Sequence, residues 1–127
     1  MQALTVLLVE DNELNRDLLV RRLARHGMTT SCAVDGEDGI RQAQAHRPDI
    51  ILMDIGLPVI DGWEAIRQIR SLPETEAIPI IALTAHAFLE DRQRAEVAGC
   101  FGFVSKPIDM AVLLETIHRA SADGSTA

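Results

Sequence analysis

The sequence predicts an α/β domain built on a five-stranded parallel sheet wound on both faces. Three observations carry this. The chain has 127 residues, one domain's worth, and such a length buries roughly two-thirds of its unfolded surface without a disulfide or metal staple. Five short apolar runs alternate with five amphipathic stretches along it. The runs are nearly continuous in Val, Ile and Leu, as in parallel strands covered on both faces. Right-handed crossovers then place helices on both sides of the sheet.

Leu4 to Val9 reads as the first strand. Asn12 caps a helix from Glu13 to His26, with Leu14, Leu18, Leu19 and Leu23 expected inward and Gly27 as its stop. Met28 to Val34 is strand-like, Asp35-Gly36 marks a turn, and a weaker helix follows from Glu37 to about His46. Pro48 breaks that helix, and Asp49 to Asp54 is the third strand. Gly56 to Gly62, containing Pro58, is a loop. Trp63, Ile66 and Ile69 then mark a short helix that ends before Pro73. Pro79 opens the fourth strand, Ile80 to Leu83. A poorly amphipathic helix runs from Phe88 to Ala98 and stops at Gly99. Phe101 to Ser105 is the fifth strand. Asp109 caps a last helix carrying Met110, Leu113, Leu114 and Ile117 at helical spacing. Residues 1–121 form the expected domain, and 122–127 a flexible polar tail.

Composition narrows the function. With 47% apolar and 24% charged residues the chain is an ordinary globular mix, which excludes wholesale disorder. No apolar run approaches bilayer-spanning length, and the N-terminus reaches acid too early for a secretory signal. The net charge of −7 opposes direct contact with nucleic-acid phosphates. Cys32 and Cys100 have neither CxxC spacing nor a histidine at metal spacing. They read as small apolar side chains, and free thiols point to the cytoplasm.

In doubly wound sheets the ligand site lies beyond the carboxyl ends of the strands, where strand order reverses. Those ends carry chemistry here: Glu10 and Asp11 after the first strand, Asp54 ending the third, Thr84 after the fourth and Lys106 after the fifth. Each has an ordinary reading alone. The acidic pair suits a helix N-terminus, the aspartate a turn, the threonine a cap. Together they form a coherent set. Three close carboxylates repel one another unless a hard cation neutralises them, and oxygen ligands suit Mg²⁺. A carboxylate beside Mg²⁺ can attack a phosphoryl group, while an ammonium and a hydroxyl hold its oxygens.

The runs VEDNELN, IILMDIGLPVIDG, ALTA and VSKP, in this order and spacing, resemble the receiver domains of two-component response regulators, the CheY-like family. The resemblance spans about Thr5 to Ala120. It implies a flavodoxin-like (βα)5 fold with strand order 2-1-3-4-5. It implies that Asp54 accepts a phosphoryl group from a histidine kinase or phosphotransfer protein. Asp11 and Asp54 would ligate Mg²⁺ directly with the Gly56 backbone carbonyl, and Glu10 through water. Thr84 and Lys106 would bind the phosphoryl group. Phe103 would turn inward when Thr84 moves, switching the face formed by the fourth helix, fifth strand and fifth helix. The Lys106-Pro107 bond matches one that is cis in the family.

Several positions depart from the commonest pattern. The acidic pair is Glu-Asp, the switch aromatic is Phe103 rather than Tyr, and Gly56 offers no side chain to shield an acyl phosphate. His86 lies two residues after Thr84, where it can titrate near neutrality. Three rival readings fit the residues less well. A dehalogenase-type phosphatase needs a second carboxylate at the position of Gly56. A flavodoxin-type cofactor site needs a glycine- and hydroxyl-rich first loop in place of Glu10 and Asp11. A degenerate docking receiver would not keep the whole set. Within the receiver reading, a phosphate sink or shuttle and a segment of a hybrid histidine kinase remain open. The EDNELN and SKPID runs also resemble stand-alone regulators of the DivK kind. The remaining histidines, Trp63 and the arginine pairs read as packing or solvated surface.

Overall fold

The computed structural model describes residues 4–57, 60–85 and 89–125. Its elements are β1 (Thr5–Val9), α1 (Glu13–Arg25), β2 (Thr29–Ala33), α2 (Gly36–His46), β3 (Ile50–Asp54), α3 (Gly62–Ser71), β4 (Ile80–Thr84), α4 (Leu89–Ala98), β5 (Gly102–Ser105) and α5 (Met110–Ser125). All strand pairs are parallel and the order is β2-β1-β3-β4-β5, as expected. Pro58, His86 and Phe88 lie outside the described residues.

Strand side chains alternate between the two faces, and each face builds its own core. Leu7, Val9, Ile51, Met53 and Ile80 point towards α2, α3 and α4, where they meet Ala43, Ala65, Ile66, Ile69 and Ala95. Val6, Leu8, Ile50, Leu52, Ile81 and Leu83 point the other way, onto Leu19 and Leu23 of α1 and Leu113 and Ile117 of α5. Central strands β3 and β4 are buried at every residue. This explains why their sequences run apolar without a break. Each fully buried Leu or Ile contributes roughly 1.5–3 kcal/mol, so the central strands are the rigid base from which their last residues project.

Local chemistry sets the helix starts. Asn12, Asp35 and Asp61 cap α1, α2 and α3 by accepting the N–H of Asn15, Asp38 and Glu64. Asp109 Oδ1 accepts the Ala111 N–H at 2.9 Å at the head of α5. α1 ends as expected at Gly27, whose φ of +79° is the left-handed conformation that glycine adopts without strain.

Two expectations are corrected. Of the four α1 leucines expected inward, Leu19 and Leu23 are buried, but Leu14 is 76% and Leu18 48% exposed. The helix carries two leucine stripes about 140° apart, and only one faces the sheet. α5 runs to Ser125. Adding residues to an existing helix needs no new nucleation, and no proline interrupts it. Thr84 is the final residue of β4 rather than the first after it.

Candidate functional site

Parallel register aligns the strand ends. Val9 pairs with Met53, Asp54 with Leu83, and Thr84 with Ser105. The residues that finish or follow these strands therefore emerge side by side: Glu10 and Asp11, Asp54, Thr84 and Lys106. β1 and β3 lie at the sheet's centre, where the chain order reverses, and the carboxylates gather at that switch point.

Carboxylate oxygens of Glu10, Asp11 and Asp54 all lie within 4.8 Å of one another. Glu10 and Asp54 are buried, whereas Asp11 is exposed at the rim. Lys106 reaches between the two buried acids, its Nζ 3.2 Å from Asp54 Oδ2 and 3.3 Å from Glu10 Oε1. The Gly56 N–H donates to Asp54 Oδ1 at 3.0 Å, and the Asn12 N–H to Glu10 Oε2 at 3.2 Å. Thr84 is buried at the end of β4, and its carbonyl accepts the Lys106 N–H at 2.7 Å. Phe103, three residues before Lys106, is half-buried against the core on the α4 side of the sheet. The Lys106-Pro107 bond is cis.

The electrostatics follow from crowding. Burial, together with a hydrogen bond to Asp54 and repulsion from it, pushes Glu10 up to about 7, against the opposing pull of the Asn12 N–H and Lys106. For Lys106, burial favours the neutral amine, but the Asp54 and Glu10 carboxylates outweigh it and leave its pKa raised. One ammonium among three acids leaves excess negative charge in an all-oxygen donor set. That combination fits a small, hard divalent cation better than any soft or monovalent one.

Two supporting residues escaped the sequence reading. Arg16, on the first turns of α1, donates from Nη1 to the carbonyls of Glu10 at 3.0 Å and Asp11 at 3.2 Å, fixing the backbone of the acidic loop. Gly62 starts α3 directly against the backbone of Asp54 and Ile55. The Asp61-Gly62 pair signals a turn, but that signal does not tell which backbone the glycine approaches. The cysteines are half-buried, and burial pushes Cys100 up to about 11, so its thiol is chemically quiet.

Comparison with known proteins points the same way. The family described as response regulator receiver domain matches residues 6–118. The polar-differentiation response regulator DivK of Brucella anthropi is 40% identical over 119 residues, covering 94% of this chain and 97% of that protein. The receiver domain of a Pseudomonas aeruginosa sensor histidine kinase, solved with a magnesium ion coordinated in its active-site cleft, is 38% identical. It superposes with a TM-score of 0.87 over 94% of this chain and 98% of its own. Chemotaxis protein CheY4 of Vibrio cholerae is 30% identical, with a TM-score of 0.87 over 94% and 99% of the two chains.

Proposed function

This chain belongs to the response regulator receiver domain family of two-component signalling, and from that premise we propose that Asp54 is its phosphoacceptor. The observation that carries the assignment is the contact between Lys106 Nζ and a buried Asp54, 3.2 Å apart, beside two further carboxylates. A histidine kinase or histidine phosphotransfer protein supplies the phosphoryl group. An Asp54 oxygen forms the new P–O bond as the P–N bond of the phosphohistidine breaks, and the electron pair leaves with the imidazole nitrogen. Lys106 and the Thr84 hydroxyl hold phosphoryl oxygens and offset the charge developing on them.

Asp11, Asp54 and the Gly56 carbonyl would hold Mg²⁺, with Glu10 acting through water. A bound ion would neutralise phosphoryl charge there. The domain's only chemistry is its own phosphorylation and dephosphorylation. Its product is a changed surface, with Thr84 drawn towards the phosphate and Phe103 turning into the space behind β4. The α4-β5-α5 face then binds a downstream protein. The receiver unit is residues 1–121. No helix among the described residues is long and apolar enough to cross a membrane, and the free thiols of Cys32 and Cys100 support a cytoplasmic site of action. A second reading, a receiver segment of a sensor kinase, draws on the 38% identity to such a receiver.

Incubation with phosphoramidate and Mg²⁺ tests the assignment. One phosphoryl group per chain is expected, acid-stable enough for intact-mass detection, and none in Asp54→Asn. Equal labelling of the variant would remove Asp54 from its role.

A further inference from the structure

Among the described side chains of α4, apolar packing onto the domain is confined to small residues. Ala95 is buried and Ala98 half-buried against the core, while the larger Val97 is 90% exposed. Alanine methyls bury far less area than the leucines and isoleucines that seat α1, α3 and α5. Three arginine contacts supplement them. The Arg94 guanidinium lies 4.8 Å from the centroid of the Trp63 ring on α3. That of Arg92 lies 5.9 Å from the centroid of Phe103 on β5. Arg70 of α3 donates from Nε to the Gly99 carbonyl at 3.1 Å, just beyond the C-terminal end of α4, and from Nη1 to the Glu76 carbonyl.

These contacts grip different things. Trp63 is packed into the core beside Ile66 and Ile69, and Gly99 offers a backbone atom. Phe103 is half-buried, and the exposed Arg92 lies over its ring. The contact holds only while the Phe103 ring stays within reach of the Arg92 guanidinium. If Phe103 turns inward, Arg92 must either follow it and lose hydration, which is unfavourable for a charge, or let go.

We propose that Arg92 is a latch: it holds Phe103 facing the surface and so opposes the phosphorylated state, while Arg94 and Arg70 stay engaged and fix the C-terminal half of α4 as the hinge. This rests on the reading of Asp54 and Phe103 given above. It makes Arg92 a positioning residue that sets how much phosphoryl binding is needed to release the α4 surface. The coupling is reciprocal, so a weaker latch raises affinity at the phosphoryl site.

Titration with beryllofluoride and Mg²⁺, a phosphoryl mimic, tests it. Arg92→Ala is expected to bind beryllofluoride about two- to fivefold more tightly than the unaltered protein, the range set by a solvent-exposed cation–π contact. In the unliganded state its Phe103 ring resonances should move towards their liganded positions. Arg94→Ala is expected to unfold at lower temperature with unchanged beryllofluoride affinity. In a Phe103→Leu background, Arg92→Ala should add nothing. Affinity that is unchanged or weaker in Arg92→Ala, or an equal gain in the Phe103→Leu background, overturns the latch. If the unaltered protein binds no more beryllofluoride than Asp54→Asn does, the phosphoacceptor reading itself falls and the latch falls with it.

Discussion

Gly62 packs against the backbone of Asp54 so closely that a β-carbon on it would lie 2.5 Å from the Asp54 carbonyl oxygen and 2.6 Å from Ile55 Cα. Its N–H donates to the Ile55 carbonyl at 3.1 Å, tying the start of α3 to the loop that leaves β3. The atoms a methyl would strike are backbone, not the end of a flexible side chain. Gly62→Ala must therefore push the acceptor loop or the helix aside. We expect a stability loss of about 1–3 kcal/mol and phosphorylation slowed by roughly tenfold or more, since reactivity depends steeply on position. Urea unfolding and phosphoramidate labelling read the two effects. A variant as stable and reactive as its parent would mean that the loop yields freely.

Lys106 and the carboxylates allow the proposed phosphoryl-binding role to be separated from the proposed metal role. The ammonium contacts Asp54 and Glu10 but supplies no metal ligand. Lys106→Met keeps much of the stem and removes the charge. Mg²⁺ binding is expected to survive or tighten, because a competing cation has gone. Phosphorylation should fall by about 10²-fold, the scale for losing one preorganised donor to a reacting oxygen. Mg²⁺ titration followed by labelling separates these outcomes, and parallel loss of both would show that Lys106 instead holds the site together.

How much of this was legible in sequence follows from what periodicity and spacing encode. The alternation of strands and helices, the caps at Asn12 and Asp109, and the gathering of Glu10, Asp11, Asp54, Thr84 and Lys106 depend on residue type at fixed places along the chain, whereas the strand order was implied only by the family resemblance. Parallel topology converts those places into neighbours. Orientation around a helix was less legible: the Leu14/Leu18 and Leu19/Leu23 pairs share the same spacing, and only packing into the core on that face of the sheet selects the second. The arginines were least legible. Nothing local distinguishes Arg16, which braces the acidic loop, from Arg21 or Arg22, which are exposed. Arg92 and Arg94 find their rings only through the tertiary fold. Long side chains reach partners far away in sequence, and no short-range pattern records which partner they find.

Arg16 supplies the third prediction. Its Nη1 joins the carbonyls of Glu10 and Asp11, so it orients two residues of the acidic cluster without touching a carboxylate oxygen of either side chain. Supporting contacts of this kind typically change metal affinity by 10–100-fold. Arg16→Ala is expected to weaken Mg²⁺ binding by about tenfold and to lower stability by about 1–2 kcal/mol, as two carbonyls lose a charged donor. Arg16→Lys, with a shorter reach and no fork, should fall between. Isothermal titration with Mg²⁺ measures this; an unchanged affinity in Arg16→Ala would leave the arginine with no part in shaping the site.

Glu10 makes the metal-free protein sensitive to pH. Its folded pKa of about 7 lies above the ordinary 4.5, because burial and Asp54 oppose its charged form. The folded state therefore binds more protons than the unfolded state between these two values. The favourable contribution of protonated Glu10 is complete below about 4.5 and is lost as pH rises through about 7. The loss is of order 1–3 kcal/mol. Lys106 keeps its charge throughout that window, since its pKa is raised, and adds no opposing slope there. Mg²⁺ competes with the same proton, so its affinity should climb with pH over this range and level off above it. Glu10→Gln should flatten both dependences while keeping the hydrogen-bonding shape of the side chain. Urea unfolding from pH 5 to 8 without Mg²⁺, paired with Mg²⁺ titrations at the same pH values, decides the matter. If the Glu10→Gln protein keeps the parent's slope, the titrating group lies elsewhere in the site.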